Sequence, residues 1–338
     1  MNYPGIKLLC FYLILTGYTI EAQEIVRPEV GSGNENQYIR WISQYPPVET
    51  GDQLKFGQKL VSALFGKSNN PIVSKPVAVY AGDTNYYWIV DQGNGFLYQV
   101  EEKVGDIPQL KAKDFKKFPS LVGICSLPGG KLLFSDSFYN QLYTIKPGKN
   151  LIEILNDSLV LNRPTGIAYS PVNQEIWVVE TNGHCVSVLN EHGQLIRKIG
   201  RRGDGPGEFN FPTYIWIDKF GKVFIVDAMN FRIQVFSEDG EIVSIFGKIG
   251  DGSGSFARPR GIATDSDGNI YVADALFNSI QIFDINGNFL YNFGMQGQDQ
   301  GKFWMPAGIF IDEQDYIYVA DTYNSRVQIF KYLKSGTK

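Results

Sequence analysis

Residues 258–294 read RPRGIATDSDGNIYVADALFNSIQIFDINGNFLYNFG, and residues 211–247 read FPTYIWIDKFGKVFIVDAMNFRIQVFSEDGEIVSIFG. Each stretch holds four short runs rich in β-branched and aromatic residues. In the first copy these are GIATD, IYVAD, IQIF and FLYNF. Between them lie Asp267-Gly268-Asn269 and Asn286-Gly287, the residues of tight hairpin turns. Neither stretch shows the 3.6-residue apolar period of a helix. The unit is therefore a four-stranded antiparallel meander.

The same unit recurs along the chain. MPAGIFIDEQDYIYVADTYNSRVQIF starts at Met305 and RPTGIAYSPVNQEIWVVETNGHCVSVL at Arg163. Weaker copies start at Lys75, KPVAVYAGDTNYYWIVDQGNGFLYQV, and Phe118, FPSLVGICSLPGGKLLFSDSFYNQLYTI. Pro76, Pro119, Pro164, Pro212, Pro259 and Pro306 anchor six copies at intervals of 43 to 48 residues. Six four-stranded units of this length predict an all-β fold, a six-bladed β-propeller with four-stranded antiparallel blades. The last copy stops after its third strand, at Phe330. Residues 58–66, QKLVSALFG, resemble the fourth strand EIVSIFG at 241–247, so an N-terminal strand is expected to complete the last blade. Closing the ring in this way removes open sheet edges. The division is then 1–22 signal peptide, 23–57 a polar, Pro/Gly-punctuated N-terminal extension, 58–332 propeller and 333–338 tail.

Composition bounds the chemistry. Thirty-one Lys and Arg face 35 Asp and Glu, a formal charge of −4, which argues against nonspecific nucleic-acid binding. Two His and three Cys nearly remove His₃ and Cys₄ metal sites. Lys7 followed by a mostly apolar run, Leu8 to Ile20, is too short to span a bilayer and fits a secretory h-region ending near Ala22. The expected location is the periplasm or the extracellular space, with no transmembrane helix in the mature chain. Cys125 and Cys185 fall on different strands of different blades and are expected to be free and buried.

The acids Asp91, Asp136, Asp227, Asp274 and Asp321 end the second strand of five blades. Their repetition favours turn capping through backbone N–H groups over a carboxylate ring for a cation. Blade three departs from the pattern: Glu180, with His184 four residues on, forms a candidate top-loop site. The Gly-rich runs 203–209, 250–256 and 297–303 lie between strands, so they are blade connections and not phosphate loops. Around the inner strands, one position reads Tyr80, Cys125, Ala168, Trp216, Ala263, Phe310, a mixture expected to interdigitate in the core.

The run Pro-x-Gly-Ile-Ala, Ile-Tyr-Val-Ala-Asp and Asn-x-Arg-Val-Gln-Ile-Phe resembles the NHL repeat, strongly over 163–332 and more weakly over 75–150. The segment 38–66 is similar to the leader of exported bacterial NHL propellers. The resemblance implies a six-bladed propeller but no single activity. Propeller enzymes similar in fold carry a metal at the channel mouth: peptidyl-hydroxyglycine lyases hold zinc with three His, and gluconolactonase-like enzymes hold calcium with Glu, Asn and Asp. Here His184 and His192 belong to one blade, and no motif selects a calcium site. The expected function is therefore a non-catalytic, macromolecule-binding scaffold, without metal or other cofactor. The enzyme is the alternative.

Loops between second and third strands and the blade connections emerge on one side of a propeller. They would gather Arg163, Arg201, Arg202, Arg232, Arg258 and Arg260 there. Arg232 and Arg326 share a repeat position, so Arg232 is assigned to structure. Arg201, Arg202, Arg258 and Arg260 are the partner-binding candidates, for an acidic protein or polyanionic macromolecule such as a cell-envelope component, and not for nucleic acid.

Overall fold

A proline opens the inner strand of four repeats, at Pro76, Pro164, Pro259 and Pro306, and a buried aromatic sits on the fourth strand of the last three blades, at Phe246, Phe293 and Tyr45. A computed structural model describes residues 25–26, 38–47, 73–83, 86–101, 109–112, 117–146 and 151–334. Blade one comprises Pro76–Asp83, Tyr86–Asp91, Phe96–Glu101 and Gln109–Ala112. Blade two comprises Leu121–Leu127, Lys131–Asp136, Gln141–Ile145 and Ile152–Ile154. Blade three has Pro164–Ser170, Glu175–Glu180, Cys185–Leu189 and Leu195–Ile199, and blade four Ile215–Ile217, Val223–Asp227, Arg232–Phe236 and Ile242–Phe246. Blade five has Pro259–Thr264, Ile270–Asp274, Ser279–Phe283 and Phe289–Phe293. All are antiparallel meanders, and among the described residues no helix is long and apolar enough to cross a membrane.

Blade six consists of Pro306–Ile311, Tyr316–Asp321 and Arg326–Leu333, and its fourth strand does come from the N-terminal end of the chain. That strand is Tyr38–Tyr45, antiparallel to Arg326–Leu333, with Ile25–Val26 paired beyond it. This corrects the assignment of 58–66, which lie outside the described residues, and brings part of 23–57 into the sheet. The reason is side-chain fit. Ile39 and Tyr45 are buried, Trp41 donates to Gln328 at 3.2 Å, and Gln44 accepts from Arg326 at 3.0 Å. Neighbouring inner strands touch all the way round, blade six against blade one, so the ring is closed.

The packing lies between blades. Phe209, Phe256 and Phe303, one from each Gly-rich connection, are fully buried. Their N–H groups donate at 2.8 Å to the carbonyls of Arg201, Lys248 and Met295, so each connection folds back on itself. Burying each ring contributes about 1.5–3 kcal/mol. A glutamine on the third strand bolts the same loop down: Gln234 accepts from Gly207 and donates to the Glu208 carbonyl and to Asp227. Gln281 and Gln328 hold the next two loops with bonds to Gly254 and Ser255 and to Gly301 and Lys302. Cys125 and Cys185 are free and buried, as expected.

Inner strands approach one another backbone to backbone. A Cβ on Gly261 would stand 2.4 Å from the Ala307 carbonyl oxygen, and one on Gly166 would stand 2.7 Å from that of Thr213. This explains the Gly of the Gly-Ile element. Blades one and four, opposite each other in the ring, carry Ala78 and Tyr214 at this position instead.

Candidate functional site

Tyr214 divides the channel. Its hydroxyl donates to the carbonyl of Val77 across the ring at 2.9 Å, and the side chain is buried. It borders both cavities that open along the axis. The propeller therefore offers two separate cups, one at each mouth. We call the mouth on the side of the second-to-third-strand loops the upper one.

The upper cup, about 350 Å³, is polar. The residue before each anchoring proline reads Lys75, Phe118, Arg163, Phe211, Arg258, Met305 around the ring, so cations come from blades one, three and five. Lys75, Arg163 and Arg258 line the cup, and Arg260 joins them from the inner strand of blade five. Ser120, Ser137, Thr165, Thr181 and Thr322 complete much of the wall. Among the described residues no carboxylate pairs with any of the four cations. Burial, and then the adjacent Arg260 guanidinium, pull the Arg258 pKa below the ordinary arginine value, because charge on one opposes charge on the other.

The strand-ending acids do not neutralise this cup, because they are occupied. All five are buried, and the pattern of capping holds. Asp274 accepts the N–H groups of Ala257, Arg258, Leu276 and Phe277, and Asp136 those of Phe138 and Tyr139. Arg232 and Arg326 are structural, as their shared repeat position indicates. Arg232 bonds Asp227 at 2.8 Å and the carbonyls of Asp204, Gly205 and Glu208, while Arg326 bonds Asp321 at 2.7 Å and three carbonyls of its own connection.

The four arginine candidates fall into two groups. Arg258 and Arg260 meet at the mouth. Arg201 and Arg202 lie on a separate outer groove of blade three, together with Glu180 and Lys198. Arg201 is already paired with Glu208 at 2.9 Å. Arg163, which the sequence placed on this face without naming it as a partner-binding residue, and Lys75, which it did not single out, belong to the mouth. Their signal was the residue before each proline, compared across all six repeats.

Glu180 and His184 form no joint site. Glu180 is buried and accepts from Lys198 at 2.8 Å, from the Asn162 N–H at 2.7 Å and from Ser187. Burial alone would raise its pKa, but these bonds outweigh it and hold the carboxyl below its ordinary value. His184 is buried against Phe211, whose N–H it accepts at 3.2 Å. His184 and His192 both sit on blade three, and neither lines a mouth. Among the described residues no group of three or more His, Cys, Asp or Glu is placed to hold a metal ion.

The upper mouth is ringed by apolar side chains. Phe138, Met229, Leu276 and Tyr323 each stand two residues after a capping acid, and each is about half exposed or more. Trp304 packs on Tyr323 with ring centroids 5.8 Å apart, and the Lys75 ammonium lies 5.7 Å from the Tyr323 ring centre.

The lower cup, about 380 Å³, has a different lining. Tyr80, Trp216 and Phe310 form a continuous aromatic wall because Ala263 between the last two is small. Cys125 and Ala168 on the facing blades leave the other half unfilled. Trp216 was expected to be core; it packs on the core with one side and lines the cup with the other.

These features define the class: a six-bladed β-propeller whose channel is bridged by Tyr214. Its fifth and sixth blades match the NHL repeat. Residues 256–283 and 303–330 match the NHL repeat model, and residues 156–230 match a family described as a 6-bladed beta-propeller. Human NHL repeat-containing protein 3 is 27% identical over 166 residues, which is 48% of this chain and 39% of that protein. The chain thus spans well under half of that relative. Among solved structures, virginiamycin B lyase from Staphylococcus aureus superposes with a TM-score of 0.57 at 16% identity, over 78% of this chain and 97% of that one. An auxiliary nutrient binding protein from Bacteroides thetaiotaomicron superposes at 0.62 with 15% identity, over 78% and 70%. At such identities the likeness is one of fold.

Proposed function

We propose that this chain is an exported, non-catalytic propeller that holds an acidic protein partner on its upper face. The observation that carries this is the cluster of Lys75, Arg163, Arg258 and Arg260 at the mouth, without carboxylate partners among the described residues. Arginine and aromatic residues are enriched at interface centres, and the surrounding Phe138, Met229, Leu276 and Tyr323 supply apolar area beside the charge. The solvated position of the cations makes them determinants of association rate and salt sensitivity more than of final affinity.

The test uses fluorescent poly-L-glutamate as an acidic polypeptide probe. The protein should bind it in low salt, lose binding as salt rises, and ignore poly-L-lysine. The double variant Arg258→Glu, Arg260→Glu should bind at least roughly tenfold more weakly and show a flatter salt dependence. Arg201→Glu, Arg202→Glu should change little. Unchanged binding by the first double variant would remove the mouth as the site. Export is tested separately: the secreted form should start just after Ala22.

A further inference from the structure

The lower cup has the opposite character, and nothing in the preceding assignment uses it. Its three aromatic rings meet at steep angles. Tyr80 and Phe310 lie at 69° with centroids 5.1 Å apart, and Trp216 and Phe310 at 74° and 5.4 Å. Tyr169 adds a fourth aromatic from blade three. Two of their polar atoms are already committed: the Trp216 indole N–H donates to Thr264 at 2.9 Å, and the Tyr169 hydroxyl donates to Glu191 at 2.9 Å. These bonds fix both rings before any ligand arrives, which lowers the ordering cost of binding.

Charge selects the occupant. Glu313 lines the cup, is exposed, and has no hydrogen-bond or ion-pair partner among the described residues. Asp218 lines the same cup from blade four, with one carboxylate oxygen capping its own turn. Lys219 is the cation here; it lies near Phe220 and within electrostatic reach of Asp267 on the next blade. A neutral sugar would need convergent donors and acceptors, and the aromatic residues have few left. An anion would meet Glu313 and Asp218. Aromatic faces with a free carboxylate suit a diffuse organic cation, attracted by the negative ring faces and by Glu313.

We propose that the lower mouth binds a small organic cation of the alkylated-ammonium class, seated on Tyr80, Trp216 and Phe310 with its charge toward Glu313.

Calorimetric titration of the intact protein with choline tests this. The control is the uncharged carbon isostere of choline, in which a tert-butyl group replaces the trimethylammonium. Choline should bind at millimolar concentration or better, roughly tenfold more tightly than the isostere, the gap expected of a cation over an aromatic face. Trp216→Leu should abolish the heat. Glu313→Gln, at an exposed position that leaves the fold unchanged, should weaken choline several-fold and leave the isostere unaffected. The upper-mouth variant Arg258→Glu should bind choline normally. Equal binding of choline and isostere would show an apolar hollow without cation selectivity and overturn the proposal. So would binding of glucose in preference to choline, no heat from choline at millimolar concentration, or choline binding insensitive to Glu313→Gln.

Discussion

The same six inner strands build both mouths of the channel, yet one end is cationic and hydroxyl-lined while the other is aromatic with free carboxylate at its rim. The difference arises within single repeats. At the residue before the proline, the ring alternates cation and apolar side chain. At the residue after the Gly-Ile element, it clusters Trp216, Phe310 and Tyr80 on one side. A repeat fold keeps its packing positions nearly constant and lets the channel positions drift, so function is written in the residues that break the repeat. Tyr214 is the strongest such break, and it keeps the two ends apart.

Replacing Tyr214 by Gly, the residue most other blades carry there, attacks that separation directly. It removes a buried aromatic, at a cost of about 3–5 kcal/mol in unfolding free energy. It should also connect the cups, so that choline and an anionic probe no longer bind independently. If stability and independence are both retained in thermal melts and paired titrations, Tyr214 is not the partition.

A second contrast separates paired from unpaired arginines on the upper side. Arg326→Ala leaves Asp321, which is fully buried, without its cation and should cost about 3–5 kcal/mol. Urea unfolding checks this, and a loss near zero would mean that Asp321 is satisfied by its other donors.

Acid should act on blade three through Glu180. Its folded pKa is depressed, so its contribution to stability is present above the ordinary carboxylate range and fades as pH falls through the folded value. The melting temperature of Glu180→Gln should therefore approach that of the unmodified protein as pH drops into the acid range. A gap that stays constant with pH would assign the loss to packing. The smallest effect belongs to Arg258→Ala, expected within about 0.5 kcal/mol of the parent because it breaks no ion pair and relieves repulsion with Arg260. A large destabilisation would mark Arg258 as structural, like Arg326.

Much of this architecture is legible in the sequence because hairpin turns and buried strands repeat their chemistry. Asp265 accepts from the N–H groups of Asp267 and Asn269 just as Asp218 does from those of Phe220 and Lys222. The closing strand was misplaced because outer strands carry little pattern. Ile242 and Val243 are exposed, so the likeness of 58–66 to that strand rests on residues that packing hardly constrains. In Tyr38–Tyr45 the informative residues are Ile39, Trp41 and Tyr45, which meet the last blade. The lower cup was hidden for another reason. Ring order places Ala168 opposite Phe310 and Cys125 opposite Ala263, but residue identities alone do not show that Tyr80 and Trp216 both pack on Phe310 and leave the half beside Cys125 and Ala168 open.

The most direct test of two independent mouths is a crystal soaked with both choline and tungstate, located by difference and anomalous density. Tungstate should lie among Arg163, Arg258 and Arg260, and choline against Trp216 and Phe310, with Tyr214 between them. Both probes in one cup, or tungstate on Arg201 and Arg202 instead, would contradict the account.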